Sequence, residues 1–221
     1  MIIQVKQSGY IPQPIVPIYN LVDIDGNIYN TTIIGTQEWI TRNLDVTRYA
    51  DGSVIPITAQ WTTDTVGAKC YYNNDETTYR STYGTLYNWY AVNNVLGLAY
   101  LHKNGVNQNF RIPSQADFIT LGSYLGGLSS AGGKLKETGF SHWNSPNTGA
   151  TNETGFDGVG SGYRTNIGSF GNIKGQGFFY TSTLFNGSNT WHYYLRDFNA
   201  ALTQNAQTFR WGLSVRLMRD I

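Results

Sequence analysis

Few residues in this 221-residue sequence have the types and spacing that catalysis or metal binding requires. The histidines His102, His142 and His192 are far apart, and Cys70 is the only cysteine, so the ligand spacing of a zinc site is missing. The acidic residues are also scattered, and nothing in the sequence sets two carboxylates at the separation that glycoside hydrolysis needs. We therefore expect no catalytic residue, no metal and no cofactor.

The glycine-rich segments do not match nucleotide-binding loops. Gly132, Gly133 and Lys134 are followed by Leu135, so the hydroxyl that binds magnesium in a phosphate loop is missing. Segment 158–162 lacks the glycine spacing of dinucleotide-binding loops, and we predict turns at both places. Segment 23–27 resembles the start of a calcium loop, but its glycine comes too early and no closing glutamate follows.

Charge and composition limit the classes of partner. A formal net charge of +1 with 13% charged residues gives no large electrostatic field, so neither nucleic acid nor an anionic membrane is an expected partner. An aromatic share of 14% with 25 glycines indicates a loop-rich protein with recognition surfaces. The sequence begins without a signal-peptide pattern and has no apolar run of about 18 residues, so we expect neither export on its own nor membrane insertion.

The chain divides into a short arm, residues 1–20, and one domain, residues 21–221. In the arm, Pro12, Pro14 and Pro17 alternate with apolar residues, which favours an extended conformation. Those apolar side chains cannot cover one another and need a surface. That surface is either the chain's own domain or a neighbouring protein, and we expect the arm to serve docking or oligomerisation.

Several elements of the domain have local signals. Asp25 and Gly26, between apolar runs, predict an opening hairpin with a type I′ turn. Ser114 and Asp117 have capping-box spacing and predict a helix over 114–125, and a shorter helix is predicted over 84–92. Strands are predicted over 177–185, 191–198 and 213–219, with a turn at 186–189 joining the first two and an exposed loop or ragged hairpin between the last two.

Six short blocks occur in an order that resembles one protein family. They are Trp39 to Leu44, Tyr83 to Val92, Phe110 to Ser114, Gly155-Phe156, Gly162 to Arg164 and Leu213 to Arg216. They resemble the major paralogous domain of Fibrobacter succinogenes, FISUMP, which is common in gut Bacteroidales and their phages. The resemblance covers about residues 21 to 220. It implies an α+β, C-type-lectin-like fold, with two helices on small twisted antiparallel sheets and termini in neighbouring strands.

Two departures from related patterns narrow the function. Family members often carry one cysteine before the block at Arg111 and another in the last strand, and this chain has neither, which fits folding in a reducing cytoplasm. The block Phe110 to Ser114 also resembles formylglycine-generating enzymes, but their copper site needs a cysteine pair. The sequence also lacks the Glu-Pro-Asn type of calcium ligand set, so any sugar binding would be independent of calcium.

The resemblance implies a ligand surface in the C-terminal half, here about Asn189 to Arg210. Rigid rings and adaptable polar groups mix there, as in many recognition surfaces. By strand alternation we expect Trp191, Tyr193 and Leu195 to face the core and the alternate face to be free. The predicted ligand-binding residues are His192, Tyr194, Arg196, Asn199, Gln204, Asn205 and Phe209.

These features favour a non-enzymatic structural or binding protein. The first hypothesis is a phage virion component, such as a head fibre, tail fibre or decoration protein, that is assembled in the host cytoplasm and binds a host-surface glycan or protein. The arm would join it to a virion or surface-assembly protein, and a homo-oligomer is expected. The alternative is a bacterial cell-surface adhesin, including a variable protein diversified by a retroelement.

Overall fold

The computed structural model describes residues 21–221, and the predicted arm lies outside the described residues. This part of the chain is a mixed fold of helices and sheets. The helices are α1 Glu76–Tyr83, α2 Trp89–Val92, α3 Gln115–Tyr124 and α4 Leu128–Leu135. The strands are β1 Leu21–Asp23, β2 Ile28–Tyr29, β3 Thr31–Ile34, β4 Gln37–Ile40, β5 Lys69–Cys70, β6 Leu86–Tyr87, β7 Leu101–Lys103, β8 Val106–Asn107, β9 Ser161–Arg164, β10 Phe170–Ile173, β11 Gln176–Leu184, β12 Asn189–Arg196, β13 Thr203–Thr208 and β14 Met218–Asp220.

The largest sheet is five-stranded, in the order β10-β9-β11-β12-β13. Its centre is the antiparallel pair β11–β12, in which Phe179 lies opposite Tyr193. Three smaller sheets surround it, in the orders β2-β1-β7-β8, β14-β4-β3 and β5-β6. Strand β14 pairs with β4, with Met218 opposite Trp39, so the C-terminal strand meets a strand from the beginning of the domain.

Two large cores cover the two faces of the central sheet. On one face, Phe118 of α3 stacks on Tyr193 with ring centroids 4.5 Å apart. On the other, Phe178 stacks on Tyr194 at 5.4 Å, in a core to which α2 and the segments 44–55 and 213–217 also contribute. Neighbouring residues of β12 point to opposite faces, so they enter different cores.

The helix predicted over 114–125 is confirmed as α3, with Ser114 as its N-cap. The Ser114 hydroxyl accepts a hydrogen bond from the Asp117 amide, and the Asp117 carboxylate accepts one from the Ser114 amide. Burial alone would raise the pKa of Asp117, but hydrogen bonds from Arg111 and Ser114 leave it lowered. Arg111 thereby connects the start of α3 to Asp220 of β14, its Nη2 donating to Asp220 at 2.8 Å.

The opening hairpin is confirmed, but its turn is not the predicted type I′. The Gly26 amide donates to the Asp23 carbonyl, the Asp23 amide donates to the Asn27 carbonyl, and both distances are 3.1 Å. The loop therefore has three residues, and only Gly26 adopts a positive φ, of 85°. The Asp25 carboxylate instead accepts hydrogen bonds from Thr47 and Arg48, which holds the turn against the following loop.

Two predictions about helices are wrong. Of the segment 84–92, only Trp89–Val92 is helical, because Gly84 adopts a φ of 72° and residues 86–87 form β6. The turn predicted at Gly132 and Gly133 lies inside α4. A Cβ at Gly132 would lie 2.2 Å from the carbonyl oxygen of Ala201, so glycine serves close packing there. Helix α1 had not been predicted at all.

The C-terminal strands agree partly with prediction. Strands β11 and β12 and the turn between them are confirmed. The polar segment after Phe198 was predicted to be either an exposed loop or a ragged hairpin. It forms a hairpin, because every residue of β13 pairs with β12. The third predicted strand is shorter than expected, since only Met218–Asp220 pairs continuously. Among residues 21–221, no helix is long and apolar enough to span a membrane.

Candidate functional site

The structure does not leave the predicted face of β12 free. The exposed fractions of His192 and Tyr194 are only 3% and 6%, and both side chains contact Phe178. The expectation of a free face is wrong because β12 is an inner strand of a sheet with a core on each side. Burial lowers the pKa of His192 to about 4, so its ring is neutral at pH 7.

Phe209 is also unavailable to a ligand. It stacks on Trp89 of α2 with centroids 4.3 Å apart, and its exposed fraction is 9%. Its backbone amide is also engaged, because it donates a hydrogen bond to the Ser188 carbonyl at 3.2 Å. Phe209 therefore closes the core at the end of β13 and is corrected from a surface residue to a core residue.

Arg196 lies at the other end of β12 and is half-buried. Its guanidinium lies over the rings of Tyr194 and Phe198, at 4.7 and 5.2 Å from their centroids, and Nη2 donates to the Tyr194 hydroxyl at 2.6 Å. Phe198 is 57% exposed. The guanidinium of Arg196 thus contacts both the buried ring of Tyr194 and the exposed ring of Phe198.

Asn199 and the connection from β12 to β13 are held by a buried lysine. Nζ of Lys136 donates to the carbonyl oxygens of Thr148, Arg196 and Asn199 at 2.8, 2.8 and 2.9 Å. These acceptors match the three donors of an ammonium group. Burial lowers the pKa of Lys136 to about 8, which leaves it charged at neutral pH. Asn199 Oδ1 accepts from the Ala201 amide at 3.0 Å, so its side chain shapes the same turn.

Gln204 and Asn205 lie in β13, at the edge of the sheet. Gln204 is opposite Tyr193, whose hydroxyl donates to Gln204 Oε1 at 3.3 Å, and Asn205 is opposite His192. Asn205 is exposed. Arg196, Asn199, Gln204 and Asn205 therefore lie on β12, on β13 or in their connection, with Gln204 and Asn205 on opposite faces of the sheet.

Sequence reasoning missed two features of this surface. Tyr193 and Leu195 are fully buried as expected, but Trp191 is only half-buried. Its ring meets Phe185, which is 50% exposed, edge to face at 4.7 Å. The pair lies at the tip of the β11–β12 hairpin and belongs to neither of the two large cores. Lys136 was also missed, since its sequence neighbours give no sign of its partners.

Titratable groups elsewhere offer no metal centre within the described part of the chain. There, no group of three or more His, Cys, Asp and Glu residues could hold a metal ion. Burial raises the pKa of Cys70 to about 12, so the reactive thiolate is not populated at neutral pH.

Comparison with known proteins gives one match. The family model for the Fibrobacter succinogenes major domain matches residues 33–219, which extend from within β3 to within β14. No curated protein and no solved structure matches the chain.

Proposed function

The chain belongs to the Fibrobacter succinogenes major domain family, and from that premise we propose a non-enzymatic binding protein with a C-type-lectin-like domain. In this proposal the domain is displayed on a phage virion, as part of a head fibre, tail fibre or decoration protein. It binds a glycan or protein on the host surface. The arm, residues 1–20, docks it on the virion.

The observation that carries the proposal is the composition of the edge strand β13. Its side chains are amides and hydroxyls apart from Ala206, with no charged group. At the end of the neighbouring strand β12, the guanidinium of Arg196 lies over the exposed ring of Phe198. Amides and hydroxyls both donate and accept hydrogen bonds, and exposed rings supply stacking area, which suits a neutral glycan or a polar protein loop.

A bacterial cell-surface adhesin is the second candidate, including one diversified by a retroelement. The arrangement of β13 favours it, because Asn205 is exposed, its backbone pairs with β12, and its Oδ1 accepts a hydrogen bond from the amide of the adjacent Ala206. Substitutions at such positions would leave both cores intact. A reverse transcriptase gene and a template repeat beside the gene would support diversification, whereas capsid and tail genes would support the virion role.

The binding surface is tested with the triple variant Arg196→Ala, Asn199→Ala and Asn205→Ala. We expect labelled protein to bind gut Bacteroidales cells at least about tenfold less well, because truncating residues at the centre of an interface has effects of this size. Gln60→Ala, at an exposed amide outside this surface, is the control. Equal binding by a folded triple variant and the wild type would refute the proposal.

A further inference from the structure

A cleft lies away from the predicted ligand-binding surface, and none of the predicted site residues lines it. It is open to solvent and has a volume of about 480 Å³, within the range of roughly 300–1,000 Å³ that is usual for small-molecule sites. Its walls come from the residues after β4, the end of α1 and the segments around 137–142 and 157–159.

One residue that lines the cleft is held by several hydrogen bonds. Arg216 is fully buried and donates through Nε to Asn43 Oδ1 at 2.8 Å, and through its Nη atoms to the carbonyl oxygens of Ile40, Phe156 and Asp157. Asn43 in turn donates to the Tyr83 carbonyl at 2.9 Å. Four of the five guanidinium N–H groups are therefore engaged, and one on Nη2 has no acceptor among the described residues.

One rim of the cleft holds an oriented imidazole. Both carboxylate oxygens of Glu137 lie on Nδ1 of His142, at 3.0 and 2.8 Å. The edge of Tyr83 meets the same ring at 5.7 Å. With Nδ1 fixed on the carboxylate, the remaining nitrogen, Nε2, is left for another partner. The ring is about one-third exposed, so a ligand can reach it.

Other residues that line the cleft supply neutral polar groups. The cleft is also lined by Asn30, Thr41, Ser81 and Thr82. The polar side-chain atoms of these four residues form no hydrogen bond within residues 21–221. The charged groups are already engaged, since Arg42 Nη2 lies 3.4 Å from Asp45 and Asp157 Oδ1 accepts from Asn152. The cleft therefore presents hydroxyl and amide groups without a strong field of either sign.

From this arrangement we propose that the cleft binds a neutral sugar. Sugar hydroxyls both donate and accept, which matches the hydroxyls of Ser81 and Thr82 and the ring nitrogen of His142. An anionic ligand would meet the Glu137 and Asp157 carboxylates, and a cationic one would meet Arg42 and Arg216. The site is independent of the surface on β12 and β13.

The test uses the full chain with D-mannose, D-galactose, N-acetyl-D-glucosamine and cellobiose as probes, by saturation-transfer NMR and titration calorimetry. We expect at least one of them to bind with a Kd of about 1 mM or lower. The double variant Ser81→Ala and Thr82→Val should weaken this binding about tenfold, because the rim hydroxyls are lost. His142→Ala should also weaken it, while Ser123→Ala, at an exposed hydroxyl of α3, should not.

Three results would overturn the proposal. They are no binding of any of these sugars at about 10 mM, equal binding by a folded double variant, and stronger binding of inorganic phosphate or sialyllactose than of the neutral sugars. The variants that test host-cell binding lie on β12 and β13 and in their connection, so failure of one proposal is distinguishable from failure of the other.

Discussion

At the scale of single residues, the buried imidazole of His192 links stability to pH. Burial lowers its pKa to about 4 in the folded protein, whereas an unfolded histidine has a pKa of about 6.5. Between these values the unfolded chain binds a proton that the folded chain does not, so the free energy of unfolding falls as the pH drops from 6.5 to 4. The full loss is on the order of 3 kcal/mol.

The variant His192→Gln should lose this part of the pH dependence. Urea unfolding at several values between pH 7 and 4.5 measures it. His102→Gln retains His192 and is expected to keep the wild-type slope. The same slope in wild type and His192→Gln would show that another group is responsible.

Lys136 is a second residue whose role is local and measurable. In Lys136→Met the ammonium is lost, and three carbonyl acceptors that it satisfies are left in the interior. Each buried carbonyl left without a donor costs about 1–3 kcal/mol, and some of the three can form a hydrogen bond to water instead. We therefore expect the free energy of unfolding to fall by about 3 kcal/mol. Chemical denaturation of the variant gives this value.

The matched control is Lys134→Met in α4, which ends one residue before Lys136. Its ammonium pairs with Glu153 at 3.1 Å, and both side chains are more than one-third exposed. Such a pair contributes about 0–1 kcal/mol. Equal losses in the two variants would contradict the role of Lys136 as an anchor for the connection between β12 and β13.

At the scale of elements, α4 depends on a glycine that helix propensity alone disfavours. Alanine is better than glycine in a helix by about 1 kcal/mol. In Gly132→Ala, however, the new Cβ would lie 2.2 Å from the Ala201 oxygen and 2.4 Å from its carbonyl carbon, both backbone atoms. We expect a net destabilisation of about 1–3 kcal/mol, measured by urea unfolding.

Ser129→Ala tests the same helix at an exposed position, and it should change stability by less than about 0.5 kcal/mol. A stabilised Gly132→Ala would show that the Ala200–Ala201 segment moves away freely. This close approach also explains why the sequence did not predict α4. The pair of glycines is typical of a turn, and the segment that excludes a side chain comes about 70 residues later.

At the scale of the whole molecule, the described residues form three hydrophobic cores, and their strands pair with one another. Deleting residues 1–18 should therefore leave a soluble, folded domain, with a thermal midpoint within about 2 °C of the full chain. The deletion should abolish incorporation into particles or oligomers. Scanning fluorimetry and the composition of purified particles measure the two outcomes.

Either of two results would contradict the docking role of the arm. Unchanged incorporation would show that the arm is not the attachment element. A large fall in the thermal midpoint would show that the arm covers the chain's own domain instead of a neighbour. A deletion of the same length from the C-terminal end would remove β14 and is not a suitable control. The control is a full-length chain whose arm has a scrambled sequence of the same composition.

Local sequence determined the parts of this fold whose signals lie within a few residues. The capping box of Ser114 and Asp117, the turn at 186–189 and the opening hairpin were all predictable, because each rests on neighbouring backbone and side chains. The ordered blocks along the chain also identified its family, which the family model confirms.

Only the tertiary structure decided which side chains face solvent. The partners of Lys136 lie 12, 60 and 63 residues away, and those of Arg216 lie up to 176 residues away. Side chains along β12 alternate between the two faces as predicted. A second core covers the face that was expected to be free, so His192 and Tyr194 are interior residues. Burial depends on contacts between distant segments, and a strand's own pattern does not show how many layers pack against it.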